Sequence, residues 1–252
     1  MLELASFTTT DFLIAFFLFL GAILYTSVGH AGSSIYIAIM SLFGLAATVI
    51  KPTALVLNIF VSSFTTWRFF RAKLFEAKIF IPLAIGAIPM SFLGGSINLS
   101  TEIYKIIVGI LLVVAGALFL RPKPVERQQL THKPNFLVAV ILGGSIGFLA
   151  GLTGTGGGIF LSPIILFLGW VTIKKASGTA APFILVNSVF GLLGHTSSVE
   201  NLPSTMPLFV FAVLIGAVIG TRLGIKQLSN EGVKKALGLV LIIAGIKLTF
   251  QL

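Results

Sequence analysis

Apolar runs dominate the chain, and they come in two lengths. Segments nearly free of formal charge occupy 12–28, 79–97, 106–120, 136–152 and 207–221. Each approaches the roughly 20 residues that a helix needs to cross the hydrocarbon core of a bilayer. Shorter apolar stretches lie between them at 35–49, 53–67, 159–170 and 179–194, and some are too short to cross upright. At two places small and polar residues interrupt the pattern, Val28 to Ser34 (VGHAGSS) and Leu152 to Gly158 (LTGTGGG). Such residues release backbone groups from the helical ladder, and in lipid those groups are tolerated only inside protein or beside a watered cavity. The breaks are therefore expected to be internal. Each is followed by about a dozen residues before Gly44 or Gly169, which predicts two re-entrant hairpins whose tips meet near the midplane.

The chain is also written twice. Gly109 to Gly116 reads GILLVVAG and Gly238 to Gly245 reads GLVLIIAG; Thr53 to Asn58 reads TALVLN and Pro182 to Asn187 reads PFILVN. The offset is about 124 residues at the breaks and about 129 later. Basic residues set the orientation. All but three of the 17 Lys and Arg fall in four clusters, at 68–78, 121–133, 174–175 and 222–235; the three outside them are Lys51, Lys105 and Lys247. With every cluster cytoplasmic by the positive-inside bias, both termini and the Glu200-bearing stretch 194–206 fall outside. Corresponding loops of the two copies then lie on opposite faces, as an odd number of elements per copy requires. The expectation is an all-α polytopic membrane protein of two inverted five-element repeats, 1–120 and 135–252, joined by a cytoplasmic linker, 121–134.

Composition narrows the class. At 56% hydrophobic and 10% charged residues, with a mean hydropathy of +1.09, the chain lacks the polar surface of a soluble domain. A net charge of +10 gathered into membrane-flanking clusters speaks for a lipid bilayer as partner and against nucleic acid. Without cysteine there is no disulfide or thiolate chemistry, and no cofactor is expected. Acidic residues near the start, Glu3 and Asp11, leave no evident cleavable signal peptide, so the first apolar segment is expected to be retained.

A helix that begins at Ser33 or Gly157 aims free N–H groups and its positive dipole end at the meeting point. Two such termini, the backbone of His30, Ala31 and Gly32 and of Thr153, Gly156, Gly157 and Gly158, and the hydroxyls of Ser33, Ser34 and Thr155 compose an anion site with no buried Lys or Arg. Asn58 and Asn187, matched across the repeat, either donate to an oxyanion or tie two helices. His30 is the one ionisable side chain in the first break and suits anion binding or proton coupling. Arg222 is placed at an inner mouth. The glycine pairs 94–95 and 143–144 are read as helix-packing residues, and Trp67 and Trp170 as interfacial anchors. Gly143 to Gly147 fits G-x-S-x-G but sits in a continuous apolar helix, not the strand-turn-helix that a nucleophile needs.

The motifs VGHAGSSIYIAIMSLFG, PTALVLNIFVSSFTTWRFFRA, GFLAGLTGTGGGIFLSPIILFLGW and GTAAPFILVNSVFGLLG make the chain resemble the sulfite exporter TauE/SafE family over nearly its whole length. That resemblance implies export of sulfite or an organosulfonate such as sulfoacetate across the cytoplasmic membrane, and points to the same two breaks and to Asn58 and Asn187. One departure from the resemblance is serine at position 33 or 34, where a glycine is common in the family, which would shift substrate preference. Thiosulfate transport, an anion channel and a non-transporting membrane subunit are the alternatives; oligomeric state stays open, a homodimer being one option.

Overall fold

A computed structural model describes residues 7–27, 29–120, 134–226 and 231–250. Among these residues there are ten α-helices, one short 3-10 helix at Thr196–Asn201 and no strand. The helices are α1 Thr9–Ser27, α2 Ser33–Leu42, α3 Ala47–Arg71, α4 Ala77–Ser96, α5 Thr101–Leu120, α6 Phe136–Thr153, α7 Gly158–Phe167, α8 Ile173–Leu193, α9 Met206–Lys226 and α10 Glu231–Phe250. Seven contain stretches long and apolar enough to cross a membrane, whereas α2 and α7 have ten residues each. The all-helical membrane class read from the sequence therefore stands. Residues 121–133, with the basic cluster of the expected linker, lie outside the described residues.

Small residues set the helix contacts. In α4 and α6, a Cβ on Gly86 would stand 2.0 Å from the Val140 carbonyl oxygen, one on Gly143 2.1 Å from that of Leu83, and one on Gly151 2.0 Å from that of Ser91. Backbones this close exclude any side chain, and such packing replaces the hydrophobic drive that lipid removes. Residue numbers rise together along both helices, so α4 and α6 run parallel. Helices α1 and α9 repeat the arrangement, Gly216, Gly220 and Gly224 facing the carbonyls of Phe19, Ile23 and Ser27. The duplicated motif packs on itself: Gly109 of α5 faces the Gly245 carbonyl of α10, and Gly116 faces that of Gly238, an antiparallel pair. Helices α3 and α8, the most buried of the seven membrane-length helices, pack against each other.

The bundle has two distinct ends. At one, Lys175 pairs with Glu76 at 3.4 Å and Gly178 abuts the Leu74 carbonyl, which brings the basic segments 68–78 and 174–175 together. Gly224 on Ser27 and Gly29 on Ser177 place the C-terminal part of α9, with exposed Arg222, at the same end. At the other, Gly194 abuts Phe92, and Lys247 donates to the Leu42 carbonyl at 2.8 Å. Phe12, Phe16, Phe136, Ile141 and Phe211 point outward, as lipid-facing side chains do. Trp67 is 50% exposed beside Arg71, in keeping with an anchor. Trp170 corrects the sequence reading: at 7% exposure it packs with Ile79, Leu161 and Phe183 in the interior.

Candidate functional site

Both breaks are built by glycines in the left-handed conformation that residues with a Cβ avoid. Gly32 (φ 108°) precedes α2, and Gly157 (φ 77°) precedes α7. Neither start carries a side-chain cap from its N-cap residue. The breaks are buried, as expected, and they touch. The Ser33 hydroxyl donates to the Thr155 carbonyl. The His30 Nε2–H donates to the Gly158 carbonyl at 3.0 Å, and since a carbonyl only accepts, the bond puts a proton on Nε2. Behind them, the Ser33 N–H donates to Asn58 Oδ1 at 3.0 Å and Asn58 Nδ2 donates to Ser188 Oγ at 3.1 Å.

Between the tips lies a cavity whose room for water centres is about 10 Å³, enough for about one water. His30, Ala31, Gly32, Ser33, Ser34 and Asn58 line one side; Thr155, Gly158 and Ile184 line the other. An oxyanion with several heavy atoms exceeds that volume, so binding there requires the tips to part. Their donors are now spent on carbonyls of the opposite break.

The remaining sequence candidates sit apart from the cavity. Thr153 donates to the Leu149 carbonyl at 2.6 Å and stands 3.0 Å from Thr155 Oγ1, bracing the second break. Gly156 makes room for the Asn58 amide, as a Cβ there would stand 2.3 Å from Nδ2. Gly157 faces Ile146, Phe183 and Ala150. Asn187 is wholly buried and neither amide atom has a hydrogen-bond partner among the described residues; Ile184, one turn earlier, takes the place on α8 that faces the cavity. Arg222 is exposed at the basic end, outside the cavity lining. Ser145 of the G-x-S-x-G match donates to the Ile141 carbonyl at 3.0 Å within α6.

Sequence reasoning missed several participants. Tyr25 lines the cavity, the Tyr36 hydroxyl donates to the Ala31 carbonyl at 2.7 Å, and the Tyr104 hydroxyl donates to the Thr153 carbonyl at 3.1 Å. These are all three tyrosines of the chain. Their rarity in so apolar a sequence was the available signal. Lys51 is a correction. Where the sequence reading expected no buried base near the site, Lys51 is 5% exposed, its stem lies against Gly154, and its ammonium donates to the Gly95 carbonyl at 3.3 Å.

Membrane-length helices around two interrupted ones that meet inside define the class: a multi-pass membrane transporter. The chain belongs to the sulfite exporter TauE/SafE family, whose model matches residues 13–248. It is 38% identical over 238 residues to the "Probable membrane transporter protein y4hK" of Sinorhizobium fredii, covering 93% of this chain and 96% of that protein. Similarity extends to the "Probable membrane transporter protein YjnA" of Bacillus subtilis, 26% identical over 92% of this chain and 96% of that protein. The "Probable membrane transporter protein YfcA" of Escherichia coli K12 is 24% identical over 69% of this chain and 61% of its own length. No solved structure matches the chain.

Proposed function

We propose that the protein is a secondary carrier that exports a small sulfur-containing anion, sulfite foremost, across the bacterial cytoplasmic membrane. The two halves are inverted repeats, and the anion binds where the breaks meet and is exposed to each side in turn. The observation that carries this reading is the junction itself, where His30 and Ser33, with Asn58 behind them, meet the backbone of Thr155 and Gly158 around a cavity with room for about one water. Hydrogen-bond donors and two helix N-termini at the junction favour an oxyanion. The small volume favours a carrier over an open channel, because passage of an oxyanion needs a rearrangement.

Inversion is supported by the way the helix contacts exchange. Swapping the halves turns the parallel α4 and α6 pair into the parallel α9 and α1 pair. It also maps the antiparallel contact of Gly109 with Gly245 onto that of Gly238 with Gly116. Equivalent helices that meet antiparallel are related by an axis across them, which lies in the membrane plane when they span it. The basic end is then cytoplasmic and the end bearing 194–206 external. A dianion leaving a cell that is negative inside gains about 2.3 kcal/mol per charge per 100 mV, so export needs no further coupling. Purified protein in proteoliposomes should carry sulfite saturably, and in preference to sulfate, thiosulfate and sulfoacetate. Flux of none of the four overturns the transport reading; preference for another of them replaces sulfite within it.

A further inference from the structure

Lys51 belongs to no basic cluster and to no part of the central cavity. It sits in the first two turns of α3, near the positive end of the helix dipole, where a cation is disfavoured. An ammonium has three N–H donors, and among the described residues this one donates to the carbonyl of Gly95, in the last turn of α4. Among the described residues the one ion pair is Lys175 with Glu76, so no described carboxylate neutralises Lys51. A buried cation supported this thinly is costly, and an ionisable group in a membrane interior marks a ligand or ion path by default.

Its position gives the path. Gly154 of the second break lies against the Lys51 stem, at 3.3 Å from where its Cβ would be. The equivalent contact in the first half is Gly29 against Ser177, at the basic end. The ammonium at Gly95 and the half-buried His195, whose imidazole feels its charge, belong instead to the end bearing 194–206. Lys51 thus stands behind one tip only, between the cavity and the surface opposite the basic clusters.

We propose that the Lys51 ammonium is a second anion station, holding a small oxyanion between the central cavity and the surface at 194–206; this rests on the transport reading above. The cavity supplies hydroxyl, amide and imidazole donors, and the station supplies the ammonium charge that draws the anion off toward one side. The competing role is structural, a tie that satisfies the α4 C-terminus.

Three variants separate the two roles. Lys51→Gln keeps an N–H donor for the Gly95 carbonyl and loses the charge, Lys51→Met loses both, and Lys51→Arg keeps both. In proteoliposomes of defined orientation, apparent sulfite affinity is measured separately from each face. The station predicts that Gln and Met both weaken affinity by about tenfold or more at the 194–206 face alone, and that Arg retains most of it. A tie alone predicts that Gln resembles the wild type, or that both faces change together, and either result overturns the station. Anion protection against thermal unfolding in detergent, with sulfite and sulfate as probes, covers the case in which no variant transports. There Gln should unfold at the wild-type temperature without anion and gain less from either salt, while equal gain sinks the proposal. A wild type that is protected by sulfite yet carries none fails the transport reading, and the anion site at Lys51 then stands or falls on whether Lys51→Gln loses that protection.

Discussion

At the first break the chain offers donors: the His30 imidazole and the Ser33 hydroxyl, with the Asn58 amide behind them. The second break offers the carbonyls that receive them and three glycines at positive φ, Gly154, Gly156 and Gly157. The same backbone device thus carries opposite hydrogen-bonding chemistry in the two halves. A carrier profits from that difference. With donors on one tip and acceptors on the other, the junction pairs the His30 Nε2–H and the Ser33 hydroxyl without water, as buried polar groups require. On the carrier reading proposed above, parting the tips frees the donors together for an anion. The flanks differ as well, Ser177 standing behind Gly29 where Lys51 stands behind Gly154.

The largest effect should come from adding one methyl to each break. In Gly29→Ala the new carbon would stand 2.1 Å from Ser177 Cβ at a φ of 83°, a clash on top of a disfavoured conformation. The two costs together come to about 3 kcal/mol or more. In Gly154→Ala the nearest atoms are at 3.3 Å, which leaves chiefly the left-handed strain of about 1–2 kcal/mol. Thermal unfolding in detergent should therefore fall much further for Gly29→Ala, and equal losses would remove the steric half of the comparison.

Next come the two asparagines. Asn58→Leu strands the Ser33 N–H and removes a donor from Ser188, at about 1–3 kcal/mol for the unsatisfied group. Asn187→Leu removes an amide without a partner among the described residues, so the folded state should be no less stable. The carrier reading gives Asn187 partners only in a state with the tips apart. Its leucine variant should keep its unfolding temperature and lose sulfite flux, and intact flux would reduce Asn187 to a tolerated core polar group.

These pairs also mark where the sequence was legible. The breaks could be read because glycine clusters inside apolar runs leave few structural options, and both lie where the pattern put them, buried and in contact. The duplicated glycine motif could be read as a repeat, though not as a contact of one copy with the other. The repeat did not tell which residue of α8 lines the cavity. The match of PFILVN to TALVLN aligns Asn187 with Asn58, yet Asn58 and Ile184 line the cavity and Asn187 does not, because which side chain faces a site depends on how each helix packs and not on the motif. Lys51 was missed for a related reason. A base near the start of an apolar helix looks like a boundary residue until α4 and the second break close over it.

A smaller effect tests the tie between the tips. Ser33→Ala removes the hydroxyl that bonds the Thr155 carbonyl, a loss of about 1 kcal/mol. Thr155→Val leaves that tie in place, since the acceptor is backbone, and loses only the contact with the Thr153 hydroxyl. Sulfite affinity should fall more in Ser33→Ala, and the reverse order would make the second break the main donor.

The smallest effect is a pH dependence at the end where Lys51 lies. Burial first, and the Lys51 charge second, hold the His195 imidazole below its ordinary pKa of 6.5. Between the two values the unfolded chain binds a proton that the folded chain does not, so stability is full above pH 6.5 and declines as the pH falls below it. His195 is only half-buried, and solvent screening keeps the slope shallow. His195→Gln should flatten that part of the stability curve between pH 7 and pH 5. Lys51→Gln should flatten it only partly, because burial, the larger cause, persists without the lysine. A curve that Lys51→Gln leaves unchanged would mean that the ammonium exerts no field at His195, and would separate the two residues that define the asymmetric flank.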